Sequence, residues 1–299
     1  MIRIFLLLLA AVVSQPLFAA DAGRKFQLTA LYHVGYWVHD VEKSRNFYHD
    51  FLGFEEPYVL NRPDGSLQMV IMKVNERQVI LLFNDPKMIL PNGDNLDHLG
   101  LEVSNNEALR EYLLSRGIET GTVHRARVGD LLLGAKDPDG NVYEVTQLEA
   151  QGQLMKHQGM SLPATRISDR LRSASLMVAN LPATLHYYRD ILGFKQIEAD
   201  NPGLAAAHIV RLQVTDSTDY LDLVSYTHKP GTEAARRAPE YSLEVPDVAK
   251  ALATLTARAK TLSLTPPSPI TISADGKRQI SMIDPDGIRV VLKEAGLPK

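Results

Sequence analysis

In HVGYWVHDVEKSRNFYHDFLGF (residues 33–54) the hydrophobic period changes partway along. Residues 33–39 alternate as a strand does, with Val34, Tyr36 and Val38 on one face and His33, Gly35, Trp37 and His39 on the other. From Val41 onward Phe47, Tyr48, Phe51 and Leu52 recur at helical spacing, with Asp40 placed to cap the helix and Gly53 to end it. The stretch returns 140 residues later as SASLMVANLPATLHYYRDILGF (173–194), its opening histidine replaced by serine.

Two further anchors repeat in the same order. LGLEV (99–103) matches YSLEV (241–245), and DPDGNVYEV (137–145) matches DPDGIRVVL (284–292). Slowly growing offsets mark a duplicated domain with small loop insertions, which gives halves at 27–149 and 168–295 joined by a mostly polar linker, 150–167. Each half divides again. In the first, strand-like runs at 67–74 and 78–83 follow the opening helix. The strand–cap–helix–glycine pattern then restarts at HLGLEVSNNEALREYLLSRG (98–117) and closes with VYEVTQL after the DPDG turn. The expected class is α+β, with a strand–helix–strands unit occurring four times.

The composition suits a globular protein: 45% hydrophobic, 22% charged, a net charge of −3 and no cysteine. Without a basic excess the chain is not expected to bind nucleic acid. The absence of cysteine removes thiolate chemistry and Cys-type metal sites. Residues 1–20, MIRIFLLLLAAVVSQPLFAA, carry one cation, a short apolar run and small residues at the end, and read as a cleaved secretory signal. The expected location is therefore periplasmic or secreted, with no membrane attachment after cleavage.

Three polar side chains stand out against the alternation. His98, Gly100 and Glu102 share a strand face opposite Leu99, Leu101 and Val103; Glu144 lies with Val142 and Thr146, opposite Tyr143 and Val145. His33, His98 and Glu144 can thus each face away from simple core packing. Two imidazoles with one carboxylate make a facial triad that leaves coordination positions open on a divalent ion.

The modules, the FY–LGF helix end and the closing DPDGN–E strand resemble the vicinal oxygen chelate superfamily, which includes glyoxalase I, extradiol dioxygenases, certain epimerases and antibiotic-resistance proteins. The resemblance covers nearly all the chain after residue 20. It implies two tandem domains of paired βαβββ modules, each forming a curved mixed sheet around a cavity. It also implies metal ligands at the first strand of the first module and at the first and last strands of the second, where His33, His98 and Glu144 stand. Glyoxalase I-like members add a carboxylate at a place that here holds Leu81, so the pattern is more like an extradiol dioxygenase using Fe(II) or Mn(II). A lyase or isomerase using Zn(II), Ni(II) or Co(II), and a metal-free small-molecule binder, are the alternatives.

Extradiol-type chemistry would draw on acid–base groups near the metal. His124 is the candidate histidine, and Arg125 and Arg127 could receive an anionic substrate; the lyase or isomerase alternative would need a base for proton abstraction, for which Glu102 is the candidate. By the repeat offsets, Ser173, Glu240 and Val291 replace the three ligands in the second half, which should keep the fold without a metal shell. The expected partner is a small-molecule substrate. A homodimer, with modules paired within one chain or across two, stays open.

Overall fold

The computed structural model describes residues 24–85, 95–197, 207–226, 240–273 and 275–296; the expected export signal lies outside the described residues. The first half forms one eight-stranded sheet in the order β2-β3-β4-β1-β5-β8-β7-β6. Its strands are β1 (Leu28–Val38), β2 (Val59–Asn61), β3 (Leu67–Lys73), β4 (Val79–Asn84), β5 (Leu96–Val103), β6 (His124–Arg125), β7 (Leu131–Lys136) and β8 (Val142–Gln147). The first strands of the two modules, β1 and β5, meet antiparallel at the centre, and each is flanked by its own module's last strand, β4 or β8, running parallel to it. Both modules of the sheet therefore come from one chain.

The second half repeats the order with β9 (Arg170–Val178), β10 (Lys195–Ile197), β11 (Ala207–Gln213), β12 (Tyr220–Tyr226), β13 (Glu240–Val245), β14 (Thr271–Ile272), β15 (Arg278–Ile283) and β16 (Arg289–Glu294). Its central register also repeats: His33 faces Gly100, and Ser173 faces Ser242.

Helix α1 (Val41–Asn46) starts where Asp40 accepts the Lys43 N–H, then widens into a π-helical stretch, Phe47–Phe51, before Gly53 turns at φ 82°. Phe47, Tyr48, Phe51 and Leu52 are all buried. Asn105 caps α2 (Asn106–Ser115) in the same way. A short α3 (Gln153–Lys156) lies in the segment expected to be a plain linker. The second half has α4 (Leu181–Leu185), which also runs into a π-helical stretch, and α5 (Val248–Leu262).

One hydrophobic core runs through both halves, and the DPDG turns stitch them reciprocally. Asp286 accepts from the His39 N–H (2.8 Å) and the Ser44 hydroxyl (2.6 Å), at the start of the other domain's helix. Asp139 does the same for the second domain's helix, accepting the N–H groups of Ala179 (3.0 Å) and Asn180 (2.9 Å). Behind them the Tyr48 hydroxyl donates to Asp284, and that of Tyr188 to Asp137. What the sequence offers as a turn signal is thus also the joint between domains.

The linker is fastened as well. Leu154 is fully buried against Tyr32, Met69, Ile71, Val79 and Leu81, while the buried Lys73 ammonium donates to the carbonyls of His157 (2.6 Å) and Met160 (2.9 Å).

Candidate metal centre

Strand pairing assembles the site from two rungs that share a face. His33 on β1 pairs with Gly100 on β5, which pairs with Glu144 on β8; two residues along, beyond the Val34–Leu99 pair, His98 on β5 pairs with Gly35 on β1. The glycines are spacers for the imidazoles. A Cβ on Gly100 would lie 2.3 Å from the His33 ring, and one on Gly35 would lie 2.9 Å from Phe83 and 3.3 Å from His98. Neither position accepts a side chain while both rings stay where they are.

The three donor sets converge. His33 Nε2 lies 2.8 Å from His98 Nε2 and 3.9 Å from Glu144 Oε1, and one ligand atom from each residue falls within 4.8 Å of the others. Both imidazoles are buried, His33 at 1% exposure and His98 at 8%. Burial, and then the neighbouring His98, hold the His33 imidazole well below its usual pKa, so it is neutral and can act as a ligand. Its Nδ1 is buried with no hydrogen-bond partner among the described residues.

For His98, burial alone would lower the pKa, but the Asp97 hydrogen bond and then the Glu144 charge raise it. Asp97 Oδ2 lies 2.5 Å from His98 Nδ1, which directs the Nε2 lone pair at the centre. Burial raises the Glu144 carboxyl, with the His98 charge opposing. Two imidazole nitrogens face to face beside a desolvated carboxyl are a donor set that a divalent cation satisfies, so the residues fit such an ion.

The triad opens onto a cavity of about 330 Å³. Met69, Ile71, Val79, Leu81 and Phe83 give it an apolar wall, and His124, Arg125 and Arg127 lie at its polar side. Leu81 pairs with Gly35 and reaches the cavity, whereas Ile80 and Leu82 are fully buried in the core, so no carboxylate stands at this fourth place.

His124 lines the cavity as an exposed residue, its Nδ1 3.2 Å from the Thr122 carbonyl. Glu102 departs from expectation. It is buried and not among the cavity-lining residues, and both its oxygens are taken by the Arg77 guanidinium, with Nε 3.0 Å from Oε2. Arg77 lies 25 residues away in sequence, which strand alternation does not reveal. Trp37 is not in the cavity wall either; it sits behind Phe83, with ring centres 5.1 Å apart. His39 is engaged with Asp286 at the domain joint, and Tyr143 is core, bonded to the Tyr187 hydroxyl.

Alternation also hides Tyr32. The β1–β5 register slips between Leu31 and His33, a bulge that turns the Tyr32 ring to the cavity beside His33, with ring centres 4.8 Å apart. Burial pushes its phenol well above the usual range.

Residues 30–145 match the family model described as the Glyoxalase/Bleomycin resistance protein/Dioxygenase superfamily. The match spans most of the first domain and takes in His33, His98 and Glu144. No curated protein matches it in sequence. Among solved structures it is similar to a catechol 2,3-dioxygenase (TM-score 0.67, 17% identity, 91% of this chain and 90% of that one). It is also similar to BphC, a halotolerant catechol dioxygenase (0.66, 16%, 91% and 88%). A third is the Mn(II)-bound glyoxalase from Novosphingobium aromaticivorans (0.65, 17%, 90% and 83%). At these identities the likeness is one of fold.

Proposed function

We propose that this protein is an exported, metal-dependent enzyme acting on a small substrate that presents two vicinal oxygens, most like an extradiol-type dioxygenase. The observation that carries this reading is the convergence of His33, His98 and Glu144 on one point of a largely apolar cavity. These residues would hold the ion, Fe(II) or Mn(II) before Zn(II), Ni(II) or Co(II), and leave positions open beside it. Such an ion, when bound, supplies Lewis acidity toward the two oxygens and, if redox-active, a path for electrons to dioxygen.

The chain's own groups do the rest. Met69, Ile71, Leu81 and Phe83 provide an apolar bed for a ring, and the linker through Leu154 packs behind it and keeps water out. The Tyr32 phenol, kept protonated by burial, is placed beside His33 to donate a proton or hydrogen bond to substrate oxygen. His124, exposed and in the cavity lining, is placed to pass a proton between substrate and solvent. Arg125 and Arg127 favour an anionic substituent at the same side. The lyase or isomerase alternative is weakened because Glu102 is committed to Arg77 and Leu81 supplies no fourth ligand. A metal-free binder would leave the convergent triad without a use.

The test is metal analysis of protein purified without chelator, followed by oxygen-uptake assays on a panel of catechols. Roughly one ion per chain, with chelator-sensitive oxygen uptake, is expected of a triad of this type. Protein that takes up no Fe(II), Mn(II), Zn(II) or Ni(II) overturns the metal reading. Protein that holds an ion but consumes no oxygen transfers the case to a lyase or isomerase.

A further inference from the structure

We infer that Trp37 and Asp97 together fix the tautomer in which His98 offers itself to the ion, making the only tryptophan of the chain a positioning residue of the metal centre. The inference rests on His98 being a ligand. Asp97 accepts twice: Oδ2 from His98 Nδ1 at 2.5 Å and Oδ1 from Trp37 Nε1 at 2.7 Å. A second slip in the β1–β5 register makes this possible. Gly35 pairs with His98 but Tyr36 pairs with Leu96, so Asp97 is the extra residue of a bulge, and its carboxylate reaches the ring of the residue that follows it. The indole is held against Phe83, which in turn lies against His98, with ring centres 5.7 Å apart.

An imidazole protonated on Nδ1 presents a free Nε2 lone pair; one protonated on Nε2 presents none there. A carboxylate has only lone pairs, so it can accept from the indole and the imidazole at once and thereby hold the Nδ1–H form. An asparagine in its place has one oxygen for two donors. The indole N–H can only donate, so it draws the amide oxygen and turns the amide N–H toward His98 Nδ1. The ring must then accept at Nδ1 and carry its proton on Nε2, which blocks ligation.

This logic predicts a rescue that a merely structural role for Asp97 would not produce. Asp97→Asn should weaken metal affinity by about 100-fold, and Trp37→Phe alone by about tenfold or less. In the double variant Trp37→Phe/Asp97→Asn the amide is free to turn its oxygen to His98, and about tenfold of the lost affinity should return.

The experiment measures Zn(II) and Mn(II) affinity of the full chain and the three variants by competition with a chromophoric chelator. Alongside it, nitrogen NMR of histidine-labelled, metal-free protein reads the His98 tautomer without any ion. Nδ1–H in the wild type, Nε2–H in Asp97→Asn and return of affinity in the double variant support the relay. A double variant that binds no better than Asp97→Asn, or a metal-free wild type with His98 protonated on Nε2 alone, overturns it. A wild type with the Nδ1–H tautomer that takes up neither ion refutes the ligand role of His98 itself, which separates failure of the metal reading from failure of the relay.

Discussion

The two sheets place different side chains at the same positions. Where the first has His33, His98 and Glu144, register pairing puts Ser173, Glu240 and Val291 in the second. The apolar wall changes too: Ile71 and Leu81, paired across β3 and β4, correspond to Arg211 and Asp222, paired across β11 and β12. Arg211 grips Asp222 through two hydrogen bonds (2.7 and 2.8 Å) and Asp275 through a third, and Ser173 meets Ser242 at 2.6 Å. Among the described residues, the space beside Ser173, Arg211 and Ser242 is about 10 Å³, against about 330 Å³ at the corresponding place in the first domain. Strand order, bulge and domain joint are nonetheless kept. The concave face can therefore be rewritten from an open, metal-fitting cavity to a filled ionic plug without disturbing the fold, because the opposite face carries the core.

Substitutions that exchange the two faces put this contrast at risk. His98→Ala should cost at least ~10³-fold in metal affinity, equivalent to ~4 kcal/mol, read by chelator competition, with little change in far-ultraviolet circular dichroism. Gly100→Ser, which copies Ser242, should drive the His33 ring from its place and cost ~10²-fold in the same assay, since its Cβ has only 2.3 Å of room; unchanged affinity would show that the glycine spacers do not matter.

In the second domain, Asp222→Leu should lower unfolding free energy by ~2–4 kcal/mol in urea melts by stranding a buried guanidinium, the loss being limited by the remaining Asp275. Arg211→Ile with Asp222→Leu, the first domain's own pair, should recover most of that loss. Tyr32→Phe should reduce turnover of the metal-loaded protein ~10–100-fold while leaving metal affinity unchanged, as removal of a proton donor would. The smallest effect is expected at the joint: Asp286→Ala should cost ~1–2 kcal/mol of stability, as loss of a helix-start acceptor does, and Asp139→Ala a similar amount.

Much of this was legible in the sequence because it follows regular periods. Strand alternation brings out His33, His98 and Glu144 on their strands, the helical spacing of Phe47, Tyr48, Phe51 and Leu52 marks the helix, and the repeat offsets give the correspondence with Ser173, Glu240 and Val291 that the pairing register reproduces. What escaped depends on departures from period. The bulges at Tyr32 and Asp97 turn neighbouring side chains to one site, which strict alternation forbids. Glu102 looks like a cavity acid until Arg77, distant in sequence, is found against it. Trp37 shares a nominal face with His33, yet strand twist and the second bulge put its indole behind Phe83. The fastening of the linker by Lys73 is likewise a tertiary fact that no local pattern encodes.

The crossed DPDG turns bear on how such a molecule can change over generations. After a duplication, one copy is ordinarily free to decay once the other does the work. Here each copy's closing turn completes the first turn of its sibling's helix, so a deletion that removed the second half would strip the acceptor from the helix that follows His33. The second copy differs from the first at every triad position, yet it still supplies a carboxylate at Asp286 and a partner for Tyr48. Inheritance of the pair as a unit is then a matter of carpentry rather than of catalysis.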